Sequence, residues 1–303
     1  MRRALATVLA VAMLCTLFIS CSHQEASSEP LIVTTVFPLY EFAKELAPKD
    51  VTVRLLLPPG SDLHTYEPTP HDLAQITTCD LFLYIGGEGD EHIRSLLESA
   101  PDTHTFSFMD LVEPLCEEHE HETAHHIHSD EHLWTSPKNA CVMVRALSEE
   151  LMRLFPEEAE AIGARCDQYL CELDSLAREC EEVLQDLPTL FFGDRFPFAH
   201  LAEDYGLRYE AAIDGCGEHT EASAARTAEL IDLATSQEAK AIFYTESSSG
   251  TLARTIAEEC GAETYLLHSC HNLSADEWSE ETTYLELMRQ NLNTLQKAKG
   301  VNA

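Results

Sequence analysis

Basic residues are scarce in this chain. Nineteen lysines and arginines stand against 53 aspartates and glutamates, a formal net charge of -34. That excludes nucleic acid as a partner, because its phosphates need a basic surface. An acidic surface attracts cations instead, weakly at physiological salt, where screening acts over about 8–10 Å. No C-x-x-C pair occurs among the eleven cysteines, so neither a zinc ribbon nor a thioredoxin-type motif is indicated. The apolar run from Ala4 to Ile19 is too short for a comfortable membrane span.

That run has another reading. Met1-Arg2-Arg3 precedes it and Ser20-Cys21 closes it, which is the layout of a secretory signal over residues 1–20. Its end resembles a bacterial lipobox, and the resemblance implies that Cys21 is lipidated. A lipoprotein cysteine carries more than one acyl chain, enough for stable anchoring to a membrane. Residues 21–30 are small and polar and read as a tether. Outside the cytoplasm some cysteines can pair; Cys166, Cys171 and Cys180 fall on an expected helix and read as packing residues.

Histidine is concentrated in one stretch, Cys116 to His132, mixed with carboxylates. Imidazole and carboxylate are ligands for zinc and its divalent neighbours. Residues 117–130 hold too little apolar surface to fold alone and are expected to form a metal-collecting surface loop. Order is expected to return at Glu131-His132-Leu133-Trp134. Within the loop His121-Glu122-Thr123-Ala124-His125 spells the zincin pattern H-E-x-x-H. A zincin sets that pattern on a packed helix, whereas here the flanks are polar and lack helical apolar spacing. A secreted zinc hydrolase is therefore the alternative, and a non-enzymatic binding protein the preferred reading.

The rest of the chain alternates strand and helix. Strands are expected at 31–37, 51–57, 80–85 and 104–108, with helices at 39–46, 71–77 and 93–99 between them. Helices follow from Pro137 to Leu154 and, with few breakers, from 157 to 187. After Pro188 strands are expected at 189–192, 208–212, 241–244 and 263–267, and helices at 198–205, 223–235, 252–260 and 284–298. The fold class is α/β: two lobes (31–156 and 188–303), each a parallel sheet flanked by helices, joined by a long spine helix. At 1.5 Å per residue that spine would span about 45 Å.

Pro58-Pro-Gly-Ser-Asp-Leu-His64-Thr-Tyr-Glu-Pro-Thr-Pro70 resembles the PPGxDPHxxEPTP signature of the metal-binding lipoproteins of ABC transporters. Asp130-Glu-His132-Leu-Trp-Thr-Ser-Pro-Lys-Asn139 resembles their second motif, DPHxWLSPKN, and zinc members carry a His/acid-rich loop between the two, as here. Phe37-Pro-Leu-Tyr40 and Ala241-Ile-Phe-Tyr-Thr-Glu246 fit as well. The resemblance implies an extracytoplasmic solute-binding protein of the zinc/manganese type. It would be a lipid-anchored monomer handing Zn²⁺ as cargo to an ABC permease. Manganese specificity and an adhesin role on the same fold are the other readings it admits.

The same resemblance names ligands and one departure. His64 and His132 match the two signature histidines. Counting back from Tyr205-Gly206-Leu207, the family's third ligand slot falls on Arg195, and a protonated guanidinium does not bind a cation. The family's last ligand, often an acid, falls on His271 in Leu267-His268-Ser-Cys270-His271-Asn272. The expected metal set is therefore His64, His132 and His271. Asp194, Cys270 and His268 remain open as further ligands, Cys216 as a partner for Cys270, and Asp194 as an ion-pair partner for Arg195. His200 and His219 read as ordinary. Imidazole nitrogens favour Zn²⁺ over the harder Mn²⁺.

Overall fold

The computed structural model describes residues 29–61, 66–87, 90–112, 115–117, 128–213 and 222–301. The first lobe is a sheet of four short strands whose two central members, LIVT and LFLY, are buried, as parallel strands covered by helices must be. These are β1 (Leu31–Thr34), β2 (Thr52–Leu55), β3 (Leu81–Tyr84) and β4 (Thr105–Ser107), in the spatial order β2-β1-β3-β4. All pairs are parallel, with Leu31 opposite Thr52, Ile32 opposite Leu81 and Phe82 opposite Thr105. Between them run α1 (Phe37–Leu46), α2 (Pro70–Thr78) and α3 (Glu91–Glu98). Proline opens α1 and α2, where a missing N–H costs nothing. Thr69 and Asp72 close a capping box at α2.

A two-stranded antiparallel pair follows, β5 (Cys116–Glu117) with β6 (His128–Ser129), at the two ends of the histidine-rich segment. Residues 118–127, and with them His121, Glu122 and His125, lie outside the described residues. Leu133–Thr135 is a 3-10 turn, and Ser136 caps α4 (Pro137–Leu154) by accepting the Lys138 and Asn139 amides.

The spine is shorter than expected. Pro156–Glu158 is a 3-10 turn, and α5 runs from Ala159 to Leu184, 26 residues or about 39 Å. It ends just before Asp186, whose positive φ of 58° turns the chain ahead of Pro188. Its stripe of Ile162, Cys166, Leu170, Leu173, Leu176 and Cys180 is buried, at the helical spacing the sequence shows. That stripe packs on α4, on α1 and on the C-terminal helix α10 (Tyr284–Val301).

The second lobe repeats the first. β7 (Leu190–Arg195), β8 (Tyr209–Ile213), β9 (Ala241–Tyr244) and β10 (Glu263–Leu266) pair in parallel in the order β10-β9-β7-β8. Its helices are α6 (Ala199–Tyr205), α7 (Ala224–Ser236), α8 (Thr251–Cys260), a short α9 (Ala275–Ser279) and α10. α9 falls outside the helices expected from the sequence; a Ser274–Glu277 capping box opens it. In both sheets the chain order reverses beside the first strand, and ligands of open α/β sheets bind beyond the carboxyl ends of strands at such a point. One apolar core runs through both lobes, from Ile32 and Phe82 to Phe192 and Phe243.

Two glycines give a test of this packing. A Cβ on Gly193 would lie 2.3 Å from the Ala253 Cα, so β7 and α8 approach too closely for any side chain there. A Cβ on Gly163, inside the spine, would meet nothing within 4 Å. Gly193→Ala should therefore destabilise by about 1–3 kcal/mol through overpacking. Gly163→Ala should stabilise by roughly 0.5–1 kcal/mol through helix propensity. Chemical denaturation of the two variants reads both; shifts of the same sign would contradict this packing.

Candidate metal centre

The segment 130–136 enters the interior as soon as it leaves the histidine-rich stretch. Asp130, Glu131, His132, Leu133, Trp134, Thr135 and Ser136 are all buried. Five of these are polar, so each needs a partner inside. Asp130 Oδ1 accepts the His132 backbone N–H at 2.7 Å and lies 3.1 Å from His132 Nδ1. Burial alone would raise the Asp130 carboxyl, but the His132 imidazole, its amide and the nearby His200 hold it below the usual carboxylate range. An ionised carboxylate only accepts, so the His132 proton sits on Nδ1 and the lone pair is on Nε2. This is the carboxylate–histidine arrangement that orients ligands in zinc sites.

Trp134 joins this segment to the second lobe. Its indole Nε1 donates to the Ser269 carbonyl at 2.8 Å, and its own carbonyl accepts the Tyr284 hydroxyl at 2.6 Å. Ser136 Oγ donates to Asp204, and Lys138 Nζ donates to the Asp204 carbonyl at 3.1 Å. The indole also lies against two imidazoles, with ring centroids 5.4 Å from His132 and 5.6 Å from His271. The two imidazoles are 5.7 Å apart and nearly perpendicular, 84° between planes. The structure thus brings two of the three sequence-predicted ligands together, from opposite lobes.

The loop after β10 is built to hold His271 there. Asn291 of α10 brackets His268, accepting its N–H and donating to its carbonyl, both at 2.7 Å. The Ser269 amide and hydroxyl donate to the Glu246 carboxylate. Cys270 turns the chain with φ of 61°, and the His271 carbonyl accepts the Phe37 N–H at 3.0 Å across the lobes. His268 faces elsewhere. Its Nδ1 accepts the Cys270 amide at 2.9 Å, and its Nε2 lies 3.4 Å from Glu277 Oε1. Its Nδ1 is thus held by the backbone, while its Nε2 is buried facing the Glu277 carboxylate without a hydrogen bond. Cys270 is fully buried, and burial pushes its thiol well above the usual range, away from the thiolate that metals bind.

Of the other open candidates, Asp194 is buried and its Oδ2 accepts the Thr245 amide at 2.8 Å and hydroxyl at 2.9 Å. Burial pushes that carboxyl up to about 6 against those donors. Thr245 reaches this oxygen because β7 and β9 are neighbours and their carboxyl ends align. Cys216 and His219 lie outside the described residues, as does Cys21. Cys79, Cys141, Cys166, Cys171, Cys180, Cys260 and Cys270 are free thiols.

His64 also lies outside the described residues, but both flanks of its loop are placed. Asn272, the residue after His271, donates from Nδ2 to the Pro58 and Ser61 carbonyls, both at 2.8 Å. Gly60 N–H donates to the Leu273 carbonyl at 2.7 Å. On the far side Tyr66 donates to Asp72 Oδ2 at 2.7 Å. Among the described residues no three histidine, cysteine, aspartate or glutamate side chains converge as a metal-holding group. Sequence reasoning missed Trp134 as the shared platform of the two imidazoles, although it stands inside a recognised motif. It also passed over His200, whose only described polar contact is with a residue 70 positions away.

Two parallel-sheet lobes, a long connecting helix and a histidine pair where the lobes meet define the class of metal-binding proteins that serve uptake transporters. Residues 32–298 match the family described as the periplasmic zinc-uptake complex component A, ZnuA, and the chain belongs to that family. It is 32% identical over 301 residues to the zinc-binding lipoprotein AdcA of Streptococcus pneumoniae, covering 95% of this chain and 60% of that protein. It therefore spans little more than half the length of that relative. It is also 32% identical over 276 residues to the high-affinity zinc uptake system protein ZnuA of Bacillus subtilis, covering 87% and 86% of the two chains. The crystal structure of the Zn(II)-bound ZnuA-like domain of S. pneumoniae AdcA superposes with a TM-score of 0.74 at 28% identity, covering 89% of this chain and 99% of that one.

The loop that carries His271 gives a pH test. The His268 imidazole first, and then the Ser274 hydroxyl and amide, pull the Glu277 carboxyl from 4.5 down to about 2. A lowered folded pKa stabilises the fold fully above about pH 4.5, and that gain is lost as pH falls through 2. Glu277→Gln should therefore be less stable than the wild type at pH 6, by denaturant midpoint of the metal-free protein. The gap should shrink towards pH 2.5; a gap independent of pH would remove the carboxylate from the account.

Proposed function

We propose that this chain is the extracytoplasmic solute-binding component of a zinc uptake system. It captures Zn²⁺ with His64, His132 and His271 and passes it to an ABC permease. The observation that carries this reading is the meeting of His132 and His271 over Trp134, with the Asp130 carboxylate behind one of them. Two neutral imidazoles and a third from the proline-fenced loop suit tetrahedral Zn²⁺, with water or a carboxylate in the fourth place. Manganese would ask for more oxygen ligands. No reacting group is required, because the metal is cargo. The zinc names borne by the two relatives support the same reading. Cys21 is the proposed lipid anchor, and no helix among the described residues is long and apolar enough to cross a membrane.

The test is a zinc competition titration on four variants. His64→Ala, His132→Ala and His271→Ala should each weaken tight binding by more than about 100-fold, beyond what loss of an outer partner costs. His268→Ala should cost much less affinity, though it should loosen the loop. Tight binding that survives both His132→Ala and His271→Ala would place the metal elsewhere.

A further inference from the structure

We infer that His200 is a positioning residue for this metal site, reaching from the second lobe to fix Asp130 and, through it, the His132 imidazole. The inference rests on the zinc-capture reading above. His200 is the second residue of α6 and is only 3% exposed. Its Nε2 lies 3.0 Å from the Asp130 carbonyl oxygen. A carbonyl only accepts, so Nε2 carries the proton and donates. Asp130 is thereby gripped at both ends. His200 holds its peptide oxygen, and its carboxylate Oδ1 receives the His132 amide and faces His132 Nδ1. Fixing the peptide after Asp130 fixes the direction of its side chain, and that carboxylate sets the tautomer and angle of the His132 ring.

Packing alone does not call for a histidine here. A buried ring N–H must find an acceptor, a demand that an apolar side chain of similar size would not make. Docking of the segment does not call for it either. Trp134, Ser136 and Lys138 already tie residues 134–138 to Ser269 and Asp204. What the His200 bond adds is orientation at Asp130, the residue whose carboxylate faces the His132 ring nitrogen. Outer partners of metal ligands are worth roughly 10–100-fold in affinity, and His200 acts one bond further out, so about tenfold is expected.

The experiment is a zinc competition titration of the full chain as wild type, His200→Phe and His200→Gln. The Gln amide can place a donor near the Nε2 position; the Phe ring fills the space without one. His200→Phe should bind zinc about tenfold more weakly with the metal-free melting temperature little changed, and His200→Gln should restore most of the affinity. If His200→Phe does not fold, His200→Asn takes its place, its amide being too short to reach the carbonyl. Wild-type affinity in the variant that lacks the donor would overturn the inference, and so would a Gln variant as weak as that one. Failure of the wild type itself to bind zinc tightly would instead sink the reading of the site, and this inference with it.

Discussion

The Trp134 indole is the interaction on which the rest of the site depends. It belongs to the first lobe by sequence, yet its N–H and its carbonyl are both satisfied by the second, through Ser269 and Tyr284. A buried indole that lost those partners would leave polar groups unpaired in the core, at about 1–3 kcal/mol each. The same ring lies against His132 and His271. One side chain thus closes the two lobes and sets the separation of two candidate ligands. The lobe contact and the metal geometry are therefore not independent, and a change that loosens one should disturb the other.

Around that ring the polar groups are arranged so that each candidate ligand is held from behind. Asp130 orients His132, and the Cys270 turn with its Ser269–Glu246 and Asn291 anchors presents His271. Asn272 ties the root of the His64 loop to the residue next to His271. Held in this way, the imidazoles lose little freedom on binding an ion, which is how preorganised sites gain affinity. The shorter spine still packs on helices of both lobes, α1 and α10, and resists wide separation of the two.

Much of this architecture is legible in the sequence because its signals are local. Apolar runs bounded by proline and glycine mark strands such as Leu31–Thr34 and Leu81–Tyr84, and helical spacing marks the buried stripe of α5. Boundaries are less legible: Pro156 opens a 3-10 turn before the spine, and Asp186 ends the chain's helical course early. The short α9 escaped because five residues hold too little periodicity, although Ser274 and Glu277 are in the sequence as a cap. The choice of His271 over His268 came from a resemblance; spacing does not carry the difference in their surroundings, His271 lying against the Trp134 and His132 rings and His268 against the Cys270 amide and Glu277. The roles of Trp134 and His200 depend on partners 135 and 70 residues away, and no local pattern encodes them.

The central claim is that one Zn²⁺ is held between the lobes by His132 and His271. Anomalous diffraction at the zinc edge, from crystals grown with one equivalent of zinc, tests it most directly. The account predicts one dominant peak about 2.0–2.1 Å from a ring nitrogen of each of those two histidines. A dominant peak at Cys270, at His268 or in the 117–130 segment, with the His132 and His271 rings unligated, would contradict it.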